Sequence, residues 1–188
     1  MVNSADITNR ALVEIGGQAT VSGTVPNLTG GGGASGYANT VYESLVLMIL
    51  RDQDFEFARR TAVLAVSGNV PAPPWQFEYV YPDDCVKIRQ VVPATQSEFD
   101  PQPVQWSVYE SIGTSNPGKV IGTNELNAQI VYTTSDVTED QWDSMFAESM
   151  VRMLASSLAM GNAGRPDVAR EKLQEAGGIM QAGEGRDS

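Results

Sequence analysis

Trp75-Gln76-Phe77-Glu78-Tyr79-Val80-Tyr81-Pro82-Asp83-Asp84-Cys85 is the stretch on which the reading of this chain turns. Its aromatic residues recur at every second position, the period that lines one face of an extended strand. Pro-Asp-Asp then supplies a turn that leads into a further strand. A segment of this kind is architectural. It is expected to join helix to sheet and to organise a surface, and it holds no side-chain set that could carry a reaction.

Working outward, the middle of the chain reads as short strands. Arg59 to Val66 carries Val63, Leu64 and Val66, and Pro71, Pro73 and Pro74 then impose an extended path. Val86 and Ile88 alternate with Lys87 and Arg89, the pattern of a half-exposed strand. Val104, Trp106 and Val108 repeat it, as do Leu126, Ala128, Ile130 and Tyr132. Asn116-Pro117-Gly118 signals a turn, with Lys119-Val120-Ile121 a short strand after it. Closely spaced strands such as these predict a small antiparallel sheet, over 59–136, inserted between helices.

Both ends of the chain read as helix. Asn3 or Ser4 can cap a first helix with Asp6 in its first turn, Ile7, Ala11 and Ile15 on one face, Leu12 beside them, and Gly16-Gly17 as its end. Gln18 to Ser35 is rich in Gly, Ser and Thr and reads as a mobile linker or tip. Its Gly30-Gly31-Gly32-Gly33 run is no phosphate cradle, since no Gly-Lys-Ser/Thr follows and no strand precedes it. Ser35 opens a second helix with Tyr37, Val41, Leu45 and Met48 in one stripe, widened by Tyr42, Val46, Ile49 and Leu50. From Leu45 onward that helix is apolar nearly all round, which predicts burial on several sides. Phe55 to Ala58 leads from its end into the strands, so 1–58 forms the N-terminal helical part.

Thr138-Glu139-Asp140-Gln141 has the form of a capping box and is expected to start the clearest helix, with Trp142, Met145, Phe146, Met150, Met153, Leu154 and Leu158 on a 3.6-residue period. Ala147, Ala155 and Ala159 give this helix a slim second face that another helix, of this chain or of a neighbour, could approach closely. Gly161 to Gly164 turns the chain, Pro166 suits a first helical position, and a last helix is expected to reach about Ala176 before Gly177-Gly178. Residues 137–178 thus form the C-terminal helical part, and 179–188 a Gly-rich flexible tail. The fold class is α+β.

Composition narrows the function. A chain of 188 residues is one ordinary domain, or one with an insertion, and is long enough to close a core. The longest wholly apolar run, Leu45 to Leu50, falls far short of a membrane span, and no basic region followed by an apolar block marks a secretory leader. With 12 basic against 23 acidic residues, net −11, the charge balance argues against a free-standing nucleic-acid binder, because such affinity comes from neutralising phosphates. The charge still suits a protein past which DNA slides. The absence of histidine removes the commonest general base and metal ligand, and one cysteine builds neither a disulfide within the chain nor a zinc site of the usual kinds.

The remaining candidates for chemistry have structural readings. Asp83-Asp84 follows Pro82 in a turn, and Glu139-Asp140 fits a first helical turn, where negative charge complements the helix dipole. Arg51-Asp52-Gln53-Asp54 lacks the loop pattern of a calcium site, and Cys85 has no histidine or second thiol to activate it. No catalytic, cofactor or metal residues are assigned. Arg165, Arg170 and Lys172 give the last helix a basic surface.

Several segments in order resemble a known family. They are Ala11-Leu12-Val13-Glu14-Ile15-Gly16, Asp54-Phe55-Glu56-Phe57-Ala58, the aromatic stretch above, Ile130-Val131-Tyr132, and Asp140-Gln141-Trp142-Asp143-Ser144-Met145-Phe146. Spanning nearly the whole chain, they are similar to tail tubular protein A and related head-to-tail adaptors of tailed bacteriophages. The motif that carries the likeness best is Trp75, Phe77, Tyr79, Tyr81, Pro82, Asp83 and Cys85. What the resemblance implies is a helical bundle with an inserted β region, assembled as a twelve-fold ring beneath the portal. Such a ring extends the DNA channel and presents a surface to nozzle or tail-tube proteins, in the virion and without catalysis. Carried over, it makes Ala147, Val151, Ala155 and Ala159 candidate contacts between copies. Arg165, Arg170, Lys172, Ile179 and Met180 become candidates for docking to the portal. The reading of a different class, motivated only by the acidic surplus, is a virion-borne peptidoglycan hydrolase working with carboxylates.

Overall fold

The computed structural model describes residues 3–94, 104–113, 115, 117–161 and 163–184, the side chains of residues 183 and 184 excepted. Asn116 of the expected turn, Asn162 and the end of the tail, 185–188, lie outside the described residues. Four helices and six strands follow in the order α1 (Ser4–Glu14), α2 (Ala34–Asp52), β1 (Arg59–Val63), β2 (Phe77–Val80), β3 (Cys85–Val92), β4 (Trp106–Ser111), β5 (Gly118–Thr123), β6 (Gln129–Thr134), α3 (Ser144–Gly161) and α4 (Pro166–Glu184). The chain is α+β, and it divides into a helical unit, Met1–Phe57 with Val137–Ser188, and a β unit, Ala58–Asp136.

In the helical unit α1, α2 and α4 all pack on α3. Buried residues cover most of the circumference of α3: Phe146, Met150, Met153 and Leu154 on the bulky side, Ala147, Val151, Ala155 and Ala159 on the slim one, with Leu158 also enclosed. Small side chains let a neighbouring helix axis come near, so one helix can serve three partners. The Phe146 ring meets Phe55, Phe57 and Trp142 edge-on, with centroids 5.0, 5.2 and 4.6 Å away, an arrangement that aromatic quadrupoles favour.

The start of α3 differs from the sequence expectation. The Thr138 N–H donates to Gln141 Oε1 at 2.9 Å, but this box closes only a single 3-10 turn, Glu139–Gln141. Trp142 then turns extended (ψ 132°), and Asp143 is the effective N-cap, its Oδ1 accepting the Phe146 N–H at 2.7 Å. Seating the Trp142 ring between Tyr42 and Phe146 goes with that break, so tertiary packing overrides the local signal.

Three further expectations are corrected. The last helix does not stop at Gly177-Gly178 but continues to Glu184, with neither glycine at positive φ. Each glycine costs about 1 kcal/mol relative to alanine in a helix, which the half-buried Ile179 and Met180 beyond them help to offset. On α2, Tyr42, Ile49 and Leu50 are buried whereas Leu47 and Met48 are exposed, so burial there is one-sided. The Gly-rich segment is pinned rather than a loose linker. Asn9 takes both the N–H and the C=O of Val21 (2.9 and 2.8 Å), and Asn39 does the same for Leu28 (3.0 and 3.1 Å). Val21 and Leu28 are buried. Gly30 to Gly33 all have positive φ, a path that side-chain-bearing residues rarely follow, and it delivers the backbone into α2 at Ala34.

The β unit holds two three-stranded antiparallel sheets, β1-β6-β3 and β2-β5-β4, where the sequence pattern suggested one. A shared core joins them: Tyr79 and Ile121 from one sheet, Val91, Ile130 and Tyr132 from the other, with Leu64 and Ala128. The chain expected as one strand from Arg59 to Val66 is divided. Leu64 still donates to Ala128, but Val66 bridges to Tyr79 and Ala65 accepts from Val80 at 2.8 Å, so the backbone passes from one sheet to the other. The aromatic stretch passes back again, from β2 through the Pro82-Asp83-Asp84 turn to β3. It links sheet to sheet, not helix to sheet, because its alternating rings fill the layer that both sheets share.

Phe146 is fully buried at the meeting point of three aromatic rings. Phe146→Ala is expected to lower unfolding free energy by about 3–5 kcal/mol, read from urea denaturation.

Candidate functional site

The aromatic stretch builds two polar nodes in the β unit. Phe77, Tyr79 and Tyr81 pack on the shared core, and the Tyr79 hydroxyl donates to the Glu125 carbonyl at 2.8 Å. Trp75 leaves the alternation. Its ring lies over Gly122, where a Cβ would come within 2.4 Å of it, and so occupies the sheet face opposite Tyr79. The Lys119 ammonium sits 4.1 Å from the Tyr81 ring centroid. Pro82 is half-buried and Asp83 exposed. Burial pushes the half-buried Cys85 thiol up, outweighing a hydrogen bond with Tyr81, so it is not an activated nucleophile.

The first node belongs to Asp84. Its carboxylate accepts from Thr134 Oγ1 (2.7 Å) and the Tyr132 hydroxyl (3.0 Å) and faces the Arg60 guanidinium at 3.4 Å, while its carbonyl accepts the Ser135 N–H at 2.8 Å. Arg60 also pairs with Asp136 at 2.9 Å. The turn is thereby tied to the end of β6. Burial works to raise the Asp84 carboxyl, but the bonds from Thr134 and Tyr132 prevail and hold it below the usual carboxylate range. In the sequence Asp83 and Asp84 read alike, as a carboxylate pair in the turn, and the family motif carries Asp83. Only the direction each side chain takes out of the turn separates them.

The second node is Glu78, on the outer face of β2 and only 2% exposed. It accepts from Asn69 Nδ2 (3.0 Å) and the Tyr109 hydroxyl (2.9 Å). Burial again pushes the carboxyl up, and hydrogen bonds from Asn69, Ser67, Tyr109 and Ser111 outweigh it, leaving the group below its ordinary value. Asn69 Nδ2 reaches Ser111 Oγ at 3.0 Å, and its Oδ1 accepts from the Ser115 N–H at 3.1 Å. Together these groups form the floor of a cleft of about 480 Å³ lined by Gly68, Asn69, Val70 and Ala72 on one side and by residues 109–113 and Ser115 on the other. Neither Glu78 nor its donors stand out in the sequence, since a lone glutamate within a strand looks like any solvated one.

The candidate contacts between copies lie elsewhere. Ala147, Val151, Ala155 and Ala159 are all buried within the chain's own helical unit, so the slim face of α3 meets helices of the same chain. The candidate docking residues do not form one surface either. Arg165 donates to the Ile15 carbonyl at 2.9 Å and so caps the carbonyl end of α1. Lys172 is buried, its ammonium 3.0 Å from Glu175 and 3.1 Å from Glu14. Arg152 of α3 pairs with Glu14 and, at 3.2 Å, with Glu175, so this ion network ties α1, α3 and α4 together. Arg170 is exposed, and Ile179 and Met180 are half-buried. Lys172 reads as basic surface in the sequence because its carboxylate partner on α1 is 158 positions away.

Among the described residues no group of three or more His, Cys, Asp or Glu side chains could hold a metal ion, and no helix is long and apolar enough to cross a membrane. The acidic pairs Asp83-Asp84 and Glu139-Asp140 belong to different units. Compared with known proteins, the chain matches no family model and no curated sequence.

Asp84→Ala removes the acceptor for the Thr134 and Tyr132 hydroxyl protons and should cost about 2 kcal/mol, measured by denaturant unfolding. Because folding lowers the Asp84 and Glu78 carboxyls, their contribution is complete above the unfolded carboxylate range near pH 4 and is lost as pH falls through the folded values. Stability should therefore drop on acidification below about pH 4, and less steeply in Asp84→Asn. Lys172→Ala should lower the melting temperature of the isolated chain, which a purely docking lysine would not do.

Proposed function

We propose that the protein is a structural head-to-tail adaptor of a tailed phage. In this reading it forms a ring under the portal, of twelve copies by family resemblance, extends the DNA channel and offers the tail its attachment surface. The observation that carries the reading is the order of segments resembling the adaptors, set on an architecture in which both chain ends build one helical unit and the β unit is inserted between them. In that assembly the helical unit is the ring-forming bundle and the β unit faces the tail proteins. The net charge of −11 supports a channel that lets DNA pass without gripping it. With the slim face of α3 occupied, the exposed large apolar side chains available for contact between copies among the described residues of the helical unit are Val13 of α1, Leu47 and Met48 of α2, Met160 of α3 and Leu173 of α4, with Leu47 and Met48 adjacent.

The test is reconstitution with the portal of the same phage, followed by electron microscopy and native mass spectrometry. Added to portal, the protein should appear as an additional ring. Leu47→Glu with Met48→Glu should abolish that ring while leaving the circular dichroism and melting temperature of the free chain unchanged. A chain that neither binds portal nor occurs in the virion would overturn the reading.

A further inference from the structure

The hydrogen bonds that hold Glu78 in place do not neutralise its charge. A carboxylate only 2% exposed is surrounded by neutral donors alone, Asn69, Ser67, Tyr109 and Ser111, and among the described residues it has no lysine or arginine partner. Buried charges are ordinarily paired. Its negative charge is instead directed at a cleft open to solvent. Two apolar side chains stand at that cleft, Val70 at 92% and Ile112 at 101% relative exposure, the most exposed large apolar residues of the described chain. An apolar mouth over an uncompensated anion matches one kind of group: a cation carried on an aliphatic stem.

Lysine fits this better than arginine. A guanidinium is best used by a carboxylate with both oxygens open to a two-point bond, whereas the oxygens of Glu78 already accept from its neighbours. What remains on offer is a field, to which a compact ammonium responds as a point charge, with the hydroxyl oxygens of Tyr109 and Ser111 to solvate it. We propose that the cleft lined by Asn69, Val70, Tyr109, Ser111 and Ile112 above Glu78 receives a lysine side chain presented by a partner polypeptide. The methylenes lie between Val70 and Ile112, and the ammonium lies over the Tyr109–Ser111 floor. This inference does not depend on the adaptor reading. If that reading holds, it places a lysine on whatever partner meets the β unit.

The experiment titrates the isotope-labelled full chain with Nα-acetyl-lysine N-methylamide, and separately with the same probe acetylated at Nε. Backbone amide resonances of Gly68, Val70, Gly113 and Ser115 are followed by NMR. The free amine should shift these four and saturate in the millimolar range. The Nε-acetylated probe should bind at least about tenfold more weakly, a difference of about 1.4 kcal/mol. Glu78→Gln should reduce the free amine to the level of the acetylated probe. Should that variant fail to fold, Ile112→Ala, at a fully exposed position, should weaken the free amine about threefold with the fold intact. Equal binding of the two probes would show that the charge is not read. Shifts absent from these four amides, or insensitive to every substitution that folds, would equally overturn the proposal.

Discussion

Helix α3 must be covered over most of its circumference, and that constraint organises the molecule. A helix apolar over most of its circumference cannot be stable against one neighbour, and the neighbours it finds are α1 and α2 from one end of the chain and α4 from the other. The polypeptide therefore has to close on itself across the whole intervening segment before its main core exists. The ion network joining Glu14, Arg152, Lys172 and Glu175 reinforces the same closure between α1, α3 and α4. Being mostly sheltered from solvent, it is screened less by salt than a surface pair would be.

What lies between those ends is a second core with its own logic. Two short sheets would each be marginal, with one apolar face open to water. By passing the chain from one to the other at residues 64–67, and again at 80–85, the β unit makes them share Tyr79, Ile121, Ile130 and Tyr132. Asp84 fixes the second crossing to β6, and Glu78 fixes residues 67–72 to β4. Both carboxylates are held by hydrogen bonds from neutral groups more than by cations, so they report on geometry as much as on charge.

Much of the α+β character was legible because it is written in local periods. Alternating aromatics from Phe77 are strand β2, and the 3.6-residue repeat from Phe146 to Leu158 is α3. The errors have a common origin in contacts distant in sequence. Thr138 to Gln141 satisfies every local rule for a helix start, yet the Trp142 ring packs against Tyr42, about a hundred positions earlier. Gly30 to Gly33 looks like slack chain, yet Asn9 and Asn39 hold the residues before it. The alanines of α3 fit a helix of the same chain or of a neighbour equally well in the sequence, and the chain's own helices cover them.

By itself the sequence determined which segments are helical and which extended, the class they add up to, and the lack of histidine and of a second cysteine, since these depend on composition and on spacing along the chain. Tertiary structure alone decided which sheet each strand joins, that Asp84 and not Asp83 anchors the turn, that Lys172 is interior, and that Glu78 lies beneath an open cleft. Each of those depends on where a side chain points once remote segments have met. A one-dimensional pattern fixes the faces of an element, but only packing fixes what each face meets.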